Sequence, residues 1–417
     1  MKKRFFFSLF LLAAFCFSCS NEEQELNISG NSAPVESETY VSMEEAEAEL
    51  IKFLQAIDSP TRGNETHSRK ISSRFTIGLP TRSTDEEIEP CLHFVNFENN
   101  GGYAILSGDS RVESVLAVTN SGSVIPDNPD PDPGLKITLP LVKQHYIDVV
   151  KEVPTDEVPQ KIYSNWKEDK IVENLCKVKW GQHAPYNNKT PKTRKGQTLA
   201  GCVATAVAQF MSVYRYPETY KGYTFDWMLL TQKTKISRYD DSDSIACEQV
   251  SFLMRRLGDT YNLDMNYGVE SSSAQSKHIP RTLRNFGYSN GGKLEDYNIE
   301  TIKNELSNRY CCLVCGYENE TFGIGHNGHQ WLIHGLFRRM RDVTTYYSDG
   351  QIDHDKEIEY YVQCNWGWDG ISDGYFLSGI FDSRNPVYND QLTGEGMINE
   401  DAYNFRYKFK MVTGIRK

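Results

Sequence analysis

The sequence predicts an α+β fold in two parts. Three observations carry that expectation. Residues 41–151 combine an amphipathic helix with a strong hairpin signal. Gly201-Cys202-Val203-Ala204-Thr205-Ala206-Val207-Ala208-Gln209 opens a helix whose first turns carry only small side chains. The apolar runs around Cys311–Cys315 and from His329 to Ile333 read as buried strands. A chain of 417 residues has room for two or three domains, each with its own core.

Residues 1–18 read as a leader. Lys2, Lys3 and Arg4 give it a positive start, and Phe5 to Phe17 form an apolar run too short to span a bilayer comfortably. Ser18-Cys19-Ser20 then reads as a lipoprotein cleavage site that frees the Cys19 thiol for diacylglyceryl attachment, although Cys16 stands where leucine is typical. Ordinary signal cleavage without lipid is the alternative. The acidic Asn21-Glu22-Glu23 suits an exported outer-membrane lipoprotein, facing the periplasm or the cell surface. Residues 19–40 are polar and read as a disordered tether.

Ser42-Met43-Glu44-Glu45 is a capping box, with Ala46, Leu50, Phe53, Leu54 and Ile57 on one helical face. Residues 61–90 read as a polar loop. Asn99-Asn100-Gly101-Gly102 turns a hairpin between His93–Phe97 and Tyr103–Asp109, and Val115–Val118 and Val124-Ile125 add strands. Asp127–Gly134, alternating Pro with Asp and Asn, reads as a stiff exposed loop. A helix follows from Leu139 to Lys151, with Pro140 in its first turn. Residues 152–172 are charged, contain Pro154 and Pro159, and read as a linker to the second part, residues 173–417.

Candidate chemistry concentrates in that second part. Gly201 lets the backbone turn tightly into the helix and leaves the Cys202 sulfur accessible. Unpaired N–H groups at a helix start favour thiolate over thiol, which makes Cys202 a candidate nucleophile. The base best placed to serve it is His329, delivered by a glycine-rich turn to the head of an apolar strand. His326 and His334 flank it and read as structural, and His183 is a weaker candidate. Asn365 offers a side-chain carbonyl that can accept an imidazole N–H, with the Trp366 indole to screen that bond from water. Lys179-Trp180-Gly181-Gln182 ends a strand-like stretch before the cysteine, and the Gln182 amide with the Cys202 N–H can form an oxyanion hole.

These four segments, in this order, resemble the streptopain family of papain-like cysteine proteases. The likeness rests on Trp-Gly-Gln at 180–182, Gly-Cys-Val-Ala-Thr-Ala-x-Ala-Gln at 201–209, Gly-His-x-aromatic at 328–331 and Asn-Trp-Gly-Trp-x-Gly-x-Ser-Asp-Gly-Tyr-Phe at 365–376. It implies a papain-like two-lobe fold. A helical lobe opens with the Cys202 helix, and an antiparallel sheet or half-barrel carries His329 and Asn365. Carried over by position, it makes Cys202 the nucleophile, His329 the general base, Gln182 the oxyanion donor, Asn365 the histidine orienter and Trp366 its shield. Residues 41–151 become a prodomain that inhibits in cis, and residues 152–172 hold the activation cleavage. An apolar preference two residues before the scissile bond is implied, with Val203, Ala204 and Trp331 as pocket walls. Gln330 and Trp331 depart from the small residue and Phe usual after the histidine, and His334 stands where Asp is common.

A net charge of −11, with no basic run, argues against nucleic acid as partner and leaves protein or peptide substrates. The membrane enters only through a lipid at Cys19. Cys312 and Cys315 suggest metal or redox chemistry by spacing, but on a strand they face opposite ways, and no second pair completes a zinc site. They read as core cysteines, and no metal or organic cofactor is implied. An acyltransferase or amidase on the same fold, a catalytically silent surface binding lipoprotein and a protease inhibitor are the alternatives.

Overall fold

The computed structural model describes residues 39–58, 69–79, 91–126, 128, 131–153, 159–321, 324–381 and 407–417. The leader, Cys19 and the tether lie outside the described residues. Twelve strands make one antiparallel sheet. They are β1 (Ile71–Gly78), β2 (Cys91–Phe97), β3 (Tyr103–Ser107), β4 (Val115–Thr119), β5 (Gln160–Tyr163), β6 (Lys167–Val172), β7 (Asn290–Asp296), β8 (Cys312–Thr321), β9 (Ile324–Tyr346), β10 (Ile352–Asn365), β11 (Gly374–Leu377) and β12 (Tyr407–Arg416). Their order is β1-β2-β3-β4-β11-β10-β9-β8-β12-β7, with β5 and β6 also paired to β9. The two parts of the chain therefore share a sheet. They join where Thr119, Val118 and Ala117 of β4 pair with Gly374, Tyr375 and Phe376 of β11.

The N-terminal helix α1 (Met43–Asp58) forms as its capping box dictates. Ser42 N donates to Glu45 Oε2 at 2.9 Å, and Glu45 N to Ser42 Oγ at 3.3 Å. Its buried face is Ala46, Leu50, Phe53, Leu54 and Ile57. Phe53 crosses to the second part, its ring 5.3 Å from Phe337 on β9 and 4.7 Å from Tyr361 on β10. The hairpin of β2 and β3 turns at Asn99 to Gly102.

Four expectations change. Strand β1 lies within the stretch read as a loop; Ile71, Phe75 and Ile77 alternate with exposed residues, and Phe75 stacks on Phe94. Val124 joins no strand, because its N–H is taken by the Asn96 side chain at 2.7 Å. Helix α2 runs Pro133–Glu152, starting earlier than read. Asp132 caps it by accepting from Leu135 N at 2.9 Å, and Pro140 falls inside it. Residues 160–172 supply strand β5, exposed, and strand β6, which ends at the buried Val172, rather than open linker.

Two apolar cores lie on opposite faces of the sheet's second part. Cys312, Val314, Trp331 and Ile333 point into the core shared with α1 and α2. Cys311, Leu313 and Leu332 point into the other, with Val203, Ala206, Val207 and Phe210 of helix α3 (Cys202–Tyr214) and the helix Ser244–Leu257. This alternation is the period of two that a strand imposes. Among the described residues the eight cysteines are free, six of them buried.

Candidate active site

Helix α3 begins at Cys202 because Gly201 makes the turn. Its φ is +88°, and a Cβ there would lie 2.9 Å from the Ser272 carbonyl. The helix ends at Arg215, in left-handed conformation, before Pro217. Its Gln209, two turns after Cys202 and on the same face, is fully buried. The Gln209 amide Nε2 donates to Trp180 O at 3.0 Å and to Asn365 Oδ1 at 2.8 Å. One side chain on the cysteine's helix thereby ties together three of the four motif segments.

The Trp180–Gln182 segment is irregular rather than a strand. It is pressed against α3 by a bond from Ala200 N to Gln182 O of 3.0 Å. Gly181 lies against the Asp369 carboxylate, and a Cβ there would come within 2.2 Å of Asp369 Oδ2 unless that side chain moved. Gln182, half-buried, thus sits beside the turn that presents Cys202.

His329 lies within β9, opposite Gly316 of β8. Its Nε2 bonds the Trp366 carbonyl at 2.8 Å. A carbonyl only accepts, so Nε2 carries the proton and Nδ1 keeps the lone pair. The backbone of the next residue, Gln330, acts to lower the Cys202 pKa. Burial pushes the Cys202 thiol up to about 11, against the N–H groups of Gln330, Val203 and Cys202 itself. Burial likewise lowers His329 to about 4, against its bond to Trp366. Desolvation thus favours the neutral form of both groups and opposes the thiolate expected from the helix start, although Cys202 is only half-buried.

Two roles move along the chain. Asn365 does not meet His329. Its Oδ1 accepts from Gln209 and from Gly367 N at 3.2 Å, and its Nδ2 donates to Val178 O at 2.8 Å. The orienting acceptor is the backbone of the following residue. The ring stacked on His329 is Trp368, with centroids 4.2 Å apart, whereas Trp366 is 6.3 Å away and fully buried. The pocket walls shift too. Trp331 is fully buried against Trp366, Phe381 and Phe409, and Ala204 and Val203 face the helical core. None of the three opens to a cleft here. His334 is structural: its Nδ1 accepts Cys176 N at 3.3 Å, and burial lowers it to about 3. His183 is exposed, and the His326 side chain lies outside the described residues.

The first part of the chain reaches this site through the loop after Trp366. Ser372 Oγ donates to Asp132 and lies 3.2 Å from the Tyr103 hydroxyl. Asn120 N donates to Asp373 O at 2.7 Å, and Ser121 Oγ to Gly370 O. A second grip lies on β9 and β10. Arg339 pairs with Glu359 and donates to Ser114 Oγ at 3.0 Å, and Tyr361 donates to Val115 O at 3.0 Å.

Residues 38–146 match the Spi protease inhibitor. Over residues 180–376 the chain is similar to the Peptidase C10 family. It is a cysteine endopeptidase with a prodomain resembling a protease inhibitor. Streptopain of Streptococcus pyogenes serotype M1 is 28% identical over 349 residues, covering 72% of this chain and 76% of its own. The thiol protease/hemagglutinin PrtT of Porphyromonas gingivalis is 25% identical over 339 residues, covering 76% of this chain and 36% of that protein. In fold, the peptidase is similar to a fragment of Prevotella intermedia prointerpain A. The TM-score is 0.51 at 22% identity, over 83% of this chain and 99% of that one. The fold is α+β and papain-like, as the sequence implied. Sequence reasoning gave no role to Gln209, Trp368 or Asp373. The seven-residue spacing from Cys202 to Gln209 was a signal for the first; the others depend on how the loop folds back.

Proposed function

We propose that the chain is an exported zymogen whose Cys202 and His329 hydrolyse peptide bonds through a thioester. The carrying observation is the His329 ring, fixed at Nε2 by the Trp366 carbonyl, on the strand β9 that packs against the Cys202 helix α3. His329 Nδ1 takes the thiol proton as the sulfur attacks the scissile carbonyl carbon. The Cys202 N–H and the Gln182 amide stabilise the oxyanion. The C–N bond then breaks, and His329 returns the proton to the leaving amine. Water, deprotonated by His329, hydrolyses the thioester to a carboxylic acid and restores the thiol.

The first domain, about residues 41–151, acts as intramolecular inhibitor by holding the loop that orients His329. Self-cleavage falls in 152–172. Strands β5 and β6 are paired to β9 and would have to unpair to enter a cleft, which favours a cut before Gln160. The family resemblance supports an apolar preference two residues before the scissile bond, worth about 1.5–3 kcal/mol for a Leu-sized side chain. The leader and Ser18-Cys19-Ser20 support export and a lipid at Cys19. The test is expression of Cys202→Ser and His329→Ala. Both are expected to accumulate full-length precursor, whereas the native chain yields a mature form whose first residue lies within 152–172. A mature form from either variant, or an active native form starting before Pro140, contradicts the reading.

A further inference from the structure

Asp373 stands one residue before β11 and is 4% exposed. Its Oδ1 accepts the Trp366 N–H at 2.9 Å. The carbonyl of that same Trp366 holds His329 Nε2 at 2.8 Å. A second bond, from the Trp366 indole N–H to Ser372 O at 3.1 Å, closes the loop beside the first. Between them the backbone is left-handed at Gly367, Asp369, Gly370 and Ser372, with φ of 78°, 53°, 78° and 57°. Non-glycine residues persist in that region only where their surroundings fix them. Inside the loop Ile371 N donates to Trp368 O at 2.9 Å, and the carboxylate and the indole bond tie its far end back to Trp366.

We infer that Asp373 is a positioning residue: by holding the Trp366 N–H it aims the Trp366 carbonyl, and through it the His329 ring. This rests on the assignment of Cys202 and His329 above. Lys179, Lys235, Asp369, Cys176 and Cys364 face the carboxyl, and Asn120 bonds its backbone. Burial raises Asp373 to about 7, against the Trp366 N–H and the two lysines, while Asp369 adds to the rise. Ionised, it is the stronger acceptor. The aim of the ring therefore sharpens as Asp373 loses its proton.

Asp373→Ala and Asp373→Asn test this in the full chain, left to process itself, with kcat and KM read on a peptide substrate across neutral pH. Asp373→Ala is expected to lose about a hundredfold in kcat, the cost of roughly an ångström of misplacement, with KM little changed. Asp373→Asn keeps an oxygen that accepts from Trp366, so it recovers most of that kcat. It also lacks the rise in kcat through about pH 7 that Asp373 contributes. Native kcat in Asp373→Ala, an Asn variant no better than Ala, or the same rise in Asp373→Asn overturns the inference. Should Asp373→Ala fail to fold, the Asn profile decides alone. A readout free of activity is the His329 Nε2–H resonance in the Cys202→Ala chain. It is expected to shift with Asp373→Ala and to stay with Asp373→Asn; an unmoved resonance in both counts against the inference. Failure of the underlying assignment shows separately, as hydrolysis retained by Cys202→Ala.

Discussion

The two sides of the site are built by different means. On the cysteine side, position follows from local sequence. Gly201 turns, α3 starts, and small residues sink the helix into a core. On the histidine side, the groups that act on the ring come from a loop. Trp366 gives its carbonyl, Trp368 its ring face, and Asp373 and Ser372 close the loop. The prodomain touches this second side, through Asp132, Tyr103, Asn120 and Ser121. Under the proposed function, control falls where geometry is set by tertiary contacts, which can be released, and not where it is set by a helix start.

The largest effect expected from breaking this comparison is at His329. His329→Ala should lose about 10²–10⁴-fold in kcat/KM, as removal of a general base does, with melting temperature little changed. Asn365→Ala should instead act on stability. It strips acceptors and donors from the buried Gln209, Gly367 and Val178 groups, at about 1–3 kcal/mol for each group left unpaired. Denaturant unfolding separates the two. Equal kcat loss in both variants with unchanged stability would restore Asn365 as the orienter.

A smaller effect is expected at Trp368. Its stacking on His329 is worth about 0.5–1.5 kcal/mol, so Trp368→Ala should lower kcat by up to about tenfold, and Trp368→Phe should recover most of it. A last effect is in pH and stability. A carboxyl raised in the fold stabilises the native chain below its unfolded value, and that contribution disappears as pH rises through the folded value, about 7 for Asp373. His329, lowered to about 4, acts oppositely: its contribution is lost as pH falls. The difference isolates Asp373. In the Cys202→Ala full chain, Asp373→Asn should gain stability relative to its parent as pH rises from about 4 to about 7. A pH-independent difference would mean that Asp373 does not titrate there.

Legibility in the sequence follows the same divide. The capping box of α1, its apolar face, the hairpin at Asn99–Gly102 and the start of α3 were readable because each is a local pattern. Strand β1 was not, because one exposed edge strand hides its alternation among polar residues. The start of α2 was obscured by prolines that read as loop, although Asp132-Pro133 is a proper cap and first turn. At the site, Cys202 and His329 were singled out by context. The supporting roles slipped by one residue, from the Asn365 amide to the Trp366 carbonyl, and by two, from Trp366 to Trp368. Backbone atoms carry no sequence signature, and the left-handed turn at Gly367 decides which indole meets the ring. Trp331 was misplaced because the rings that bury it, Trp366, Phe381 and Phe409, lie far along the chain.

The most direct measurement is covalent labelling with a thiol-directed epoxide, followed by mass mapping of the labelled peptide, before and after processing. In the full-length chain the Cys202 thiol, half-buried and with its pKa raised, should label slowly. After processing it should label fast, stoichiometrically and with complete loss of hydrolysis, at Cys202 alone, leaving the half-buried Cys247 unmodified. Label on Cys247, or an active processed enzyme in which Cys202 stays unlabelled, would contradict the assignment of the nucleophile.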